Sequence, residues 1–85
     1  MTSKYRPLGR YLESLPSDQD ETTLTLSRIE EILGEGLPRS AYQYQAFWAN
    51  ERNPHQPQKQ CIQEAGWKVE SVNLQQKWVS LQRVQ

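Results

Sequence analysis

The chain has 85 residues, ten Lys and Arg against ten Asp and Glu, and a mean hydropathy of −0.90. No stretch approaches the roughly 20 apolar residues that cross a bilayer, and no apolar run follows an early basic cluster. The one cysteine can form neither an internal disulfide nor a cysteine-based zinc site. With no signal and no disulfide framework visible, a cytoplasmic setting is expected.

Low hydropathy invites a disordered reading, but composition argues against it. Disordered chains are poor in aromatics. This chain holds eight: Tyr5, Tyr11, Tyr42, Tyr44, Phe47, Trp48, Trp67 and Trp78. The low hydropathy comes mostly from eleven glutamines, which helices tolerate. Charge is uneven along the chain: residues 1–10 carry +3, residues 11–35 carry −6 and residues 36–85 carry +3. A neutral chain can therefore still present a basic face.

Tyr5, Leu8, Tyr11, Leu12 and Leu15 recur at helical spacing, with Pro7 in the first turn and Pro16 as the stop. Residues 17–22, SDQDET, read as a mobile acidic loop in a single domain spanning 1–85. Thr23 to Leu26 alternates as a brief strand or an extended lead-in. Ser27 with Glu30 then reads as a capping box opening a helix over 28–33, which Gly34 ends. Pro38 suits a first helical position. Ala41, Tyr44, Phe47 and Trp48 share one face of a helix expected over 38–48. After the polar segment 50–57, Pro57 starts a helix with Cys61, Ile62 and Ala65 on its apolar side, and Gly66 ends it.

Beyond Gly66 the period changes to two. Trp67 and Val69 share one face, then Val72 and Leu74 the other, so a bulge or strand end is expected near Ser71. Residues 78–84 form the second strand of a C-terminal hairpin. The expected fold is α+β: a small winged-helix-like domain of three to four short helices, a short strand and a C-terminal β-hairpin. The expected core is Leu8, Leu12, Leu26, Ile29, Leu33, Leu37, Ala41, Tyr44, Trp48, Ile62, Trp67, Val69, Val79 and Leu81.

Residues 37–50, LPRSAYQYQAFWAN, continue to His55 and to Ala65-Gly66-Trp67 with Val69. This arrangement resembles a family of small bacterial domains of uncharacterised function. That family's pattern runs Leu-Pro-x-Ser-Ala, an aromatic stretch ending in Trp-x-Asn, a His, a helix, and Ala-Gly-Trp into a hairpin. The likeness extends from the Tyr5–Leu12 helix to Arg83. It departs at Phe47-Trp48, where the pattern often has two tryptophans, and at Cys61, where it usually has an aromatic or aliphatic. Some members look like parts of nuclease-like proteins, which implies DNA handling.

Catalysis finds little support in the residues. A hydrolase needs a nucleophile–base pair or a metal cluster. His55 is the only histidine, and Cys61 falls on an apolar helix face as a core thiol. Asp18, Asp20 and Glu21 have no matching histidine, and no glycine-rich phosphate loop is present. No enzyme activity, metal, cofactor or small-molecule substrate is expected. Nucleic acid, DNA first, is the sharper reading. Arg, Asn and Gln read base edges, while Arg and Lys hold phosphates. The expected contact set is Arg39, Tyr42, Gln43, Asn50, Arg52, His55 and Lys59, carried by the 38–48 helix and the following loop. The alternative is a protein-interaction module, pairing with a protein partner or with itself through an edge strand. The placement of Arg39, Arg52, Lys59, Lys68 and Arg83 distinguishes them: one basic face favours nucleic acid.

Overall fold

A computed structural model describes residues 4–48 and 57–84. Helix α1 (Arg6–Glu13) leads to strand β1 (Glu21–Thr25), which runs straight into helix α2 (Leu26–Leu33). Helix α3 (Arg39–Gln43) and a 3-10 turn (Gln45–Phe47) follow, then helix α4 (Pro57–Glu64). Strands β2 (Trp67–Asn73) and β3 (Trp78–Arg83) close the chain as a hairpin. The sheet is antiparallel in the order β1-β3-β2. The expected α+β class, short helices and hairpin are all present.

One face of the sheet meets the helices. Leu24 pairs with Val79, and Val69 with Leu81, so these four side chains share the inner face, and all are buried. Trp67 extends that face. The register of β2 shifts between Val69 and Ser71, which makes Glu70 the extra residue of a bulge. The shift lets half-buried Val72 rejoin the inner face opposite Val79. This accounts for the change of phase in the sequence. From the helices come Leu8 and Leu12 of α1, Leu26 and Ile29 of α2, Ala41 of α3 and Ile62 of α4, with Trp48 beside them. Buried Tyr5 and Leu24 join this core, although the expected core did not include them. Leu33 and Leu37 sit at its margin, half-buried rather than central.

Local chemistry sets the helix ends. The N-cap of α2 is Thr25, not Ser27: its Oγ1 accepts the Arg28 amide at 3.0 Å. The strand enters the helix with no intervening loop, so the cap falls on the last strand residue. Glu30 is thereby released from any capping role. Gly34 closes α2 with φ +78°, a left-handed conformation that glycine adopts without steric cost.

The largest departure from expectation lies at 38–48. The helix stops at Gln43, because Tyr44 is extended (φ −125°, ψ 120°). In a continuing helix the Ala41 carbonyl would accept the residue-45 amide. Here the Trp48 indole N–H donates to that carbonyl at 3.0 Å. Trp48 is buried, and the chain reaches it through the 3-10 turn. Tyr44, expected in the core, is consequently 61% exposed.

Candidate functional site: the α3 strip

The structure divides the expected contact set. Arg39 and Gln43 are exposed, one helical turn apart on α3, and so share a side of it. Gln45 and Ala46 in the following turn are exposed as well. No Asp or Glu occurs from Gly36 to Trp48.

Tyr42 sits half-buried and has a structural partner: its hydroxyl hydrogen-bonds to the Glu30 carboxylate. Glu30 Oε2 also accepts the Leu37 amide at 2.7 Å. One carboxylate thus ties α2 to the turn before α3 and to α3 itself. The Leu37 amide and then the Tyr42 hydroxyl hold the Glu30 carboxyl below its usual range. Burial first, and the neighbouring Glu30 second, push the Tyr42 phenol up.

Lys59 does not fit a phosphate-holding role. It is 6% exposed on α4, beside buried Gln58, whose amide donates to the Phe47 carbonyl at 3.1 Å. Helix α4 has neighbours in both α1 and β2, so more than one of its sides is covered. A lysine stem can line such a surface. Asn50, Arg52 and His55 lie outside the described residues.

Arg83 is also committed to the fold. Its Nε donates to the Gln19 carbonyl at 3.1 Å, and its Nη2 to the Pro16 carbonyl at 2.9 Å. Its guanidinium lies 4.7 Å from the centre of the Trp67 ring, and its backbone amide donates to Asp20. Arg83 therefore fastens the end of β3 to the 16–20 segment. Glu21 and Thr22, expected in the acidic loop, belong to β1. Of the five cations that distinguish the readings, Arg39 and Lys68 stand exposed among the described residues.

A second surface feature lies between α1 and α4. It is a groove of about 470 Å³ lined by Arg6, Gly9, Arg10, Glu13, Gln60, Cys61 and Glu64. Gly9 permits the close approach of the two helices, since a Cβ there would meet the Cys61 carbonyl oxygen at 3.1 Å. Cys61 is half-buried in this groove rather than enclosed in the core. Among the described residues no group of three His, Cys, Asp or Glu side chains is placed to hold a metal ion. Among them, too, no helix is long and apolar enough to cross a membrane.

Sequence reasoning also misplaced Tyr44. Its spacing from Ala41 and Trp48 mimics a helical face, and only the long-range indole bond reveals the break. The flanking glutamines, in Gln43-Tyr44-Gln45, are the one sequence cue to an exposed position.

The model of a domain of unknown function, DUF7662, matches residues 5–84. The match agrees with the resemblance to a small domain family of uncharacterised function. No curated protein and no solved structure matches the chain.

Proposed function

The chain belongs to the DUF7662 family, and from that premise we propose that it is a non-enzymatic, winged-helix-like nucleic-acid-binding domain. The winged-helix reading rests on topology: α1, α2 and α4 accompany a β1-β3-β2 sheet that ends in a hairpin. Fold alone does not assign function. The observation that carries the proposal is the α3 strip, where Arg39, Gln43 and Gln45 are exposed in a stretch free of acidic residues. Arg39 supplies a phosphate contact, and the two amides suit base edges.

The test is fluorescence anisotropy of labelled DNA with the full chain across a salt series. Wild type binds at low salt, with affinity falling as salt rises. Arg39→Ala with Gln43→Ala weakens binding and lowers the salt slope by about one, as expected for one lost phosphate contact. Both positions are exposed, so the melting temperature stays near wild type. Absence of binding at low salt, or a double variant that binds like wild type, overturns the assignment. The second reading is a protein-interaction module. Zero net charge, together with the internal use of Lys59 and Arg83, favours it. It takes over if no nucleic acid binds at low salt.

A further inference from the structure

We infer that the nucleic acid taken by the α3 strip is single-stranded, with Tyr44 stacking on a base. This rests on the nucleic-acid reading above and specifies its ligand. The first observation concerns length. A five-residue helix makes less than one and a half turns and rises about 7.5 Å. Helix α3 presents only Arg39 and Gln43 outward, fewer than the three or four side chains a reading helix lays on base edges in the major groove. Helix α4 is longer, at eight residues, but its one lysine is buried.

The second observation is Tyr44 itself. The residue is 61% exposed, in a chain whose other large aromatics are buried or half-buried among the described residues. Its backbone is held on both sides: its amide donates to Ser40, and its carbonyl accepts from Phe47. Behind it, Phe47 and Trp48 meet edge to face at 4.8 Å, and Phe47 meets Tyr5 at 6.3 Å. The ring thus stands on a braced segment, so little order is lost when a ligand meets it. Gln43 and Gln45 flank it, and Arg39 lies on the helix just before it. An exposed aromatic with amides and an arginine nearby matches the chemistry of unpaired-base recognition. A base offers a π-face for stacking, and its free edges take hydrogen bonds from side-chain amides. In a duplex those faces are already stacked.

The experiment measures anisotropy of a labelled oligothymidylate and of a duplex of equal length at low salt. The proteins are wild type, Tyr44→Ala and Tyr44→Phe. Wild type binds the single strand more tightly than the duplex. Tyr44→Ala loses roughly 5- to 150-fold on the single strand, the range expected for one stacked base. Tyr44→Phe keeps the affinity, because the π-face remains. Single-strand affinity unchanged in Tyr44→Ala, or lost equally in Tyr44→Phe, overturns the stacking role. Duplex binding that exceeds single-strand binding overturns the ligand assignment and leaves the nucleic-acid reading standing. Binding to neither probe removes both.

Discussion

Trp48 and Trp67 are equally buried, yet replacing each by Phe should give different losses. Both are within 1% of full burial. Both substitutions delete similar ring volume, a shortfall of ~40 Å³ that costs about 1 kcal/mol at roughly 24 cal/mol per Å³. The difference lies in the indole N–H. In Trp48 it donates to the Ala41 carbonyl at 3.0 Å, in the interior. Trp48→Phe loses that bond and leaves the carbonyl short of a partner, adding about 1–2 kcal/mol. In Trp67 the indole nitrogen is buried with no hydrogen-bond partner among the described residues. Trp67→Phe removes an unsatisfied donor whose burial costs about 1–3 kcal/mol, which offsets the volume loss. It also weakens the contact with Arg83 by about 0.5 kcal/mol. The expected loss is about 2–3 kcal/mol for Trp48→Phe, while Trp67→Phe lies between a gain of about 1.5 and a loss of about 0.5 kcal/mol. Urea unfolding followed by far-ultraviolet circular dichroism measures both without relying on tryptophan emission. Equal losses, or a larger loss at Trp67, would refute the reasoning.

Two further predictions concern the ties that hold loops and helices. Arg83→Ala removes two bonds to the Pro16 and Gln19 carbonyls. Amide hydrogen exchange across 17–21 should quicken, with a stability loss of about 1–2 kcal/mol. Unchanged exchange there would show that Arg83 does not fasten the segment. Glu30→Gln weakens the charged link to the Leu37 amide and the Tyr42 hydroxyl. Because the Glu30 carboxyl is held below its unfolded-state value, its contribution is complete above the ordinary carboxylate range. That contribution fades as pH falls through the lowered folded-state value. The melting-temperature gap between wild type and Glu30→Gln should therefore be open at pH 7 and close in acid. A gap independent of pH would contradict this.

What the sequence disclosed was mostly local. The αL glycine after α2 and the bulge between Val69 and Ser71 depend on residues within a few positions of each other. Both were legible. So was the exposure of Arg39 and Gln43, which follows from Ala41 facing inward. What escaped depends on distant partners. The α3 break at Tyr44 accompanies an indole bond reaching back seven residues. Glu30, three residues after Ser27, satisfied the local rule for a capping box, but the strand supplied Thr25 first. Lys59 looked like surface charge because helix α1, one of the two elements that cover α4, lies far away in sequence. Arg83 gave no sign that it reaches back more than 60 residues to Pro16 and Gln19.

The central claim is that the exposed strip around α3 meets nucleic acid. The most direct measurement is an amide chemical-shift map of the full chain titrated with an unlabelled oligothymidylate. The account predicts that the largest shifts fall on residues 39–46, with α1 and the β1 edge of the sheet unmoved. Shifts centred on Arg6 and Arg10 in the α1–α4 groove, or none at low salt, would contradict it.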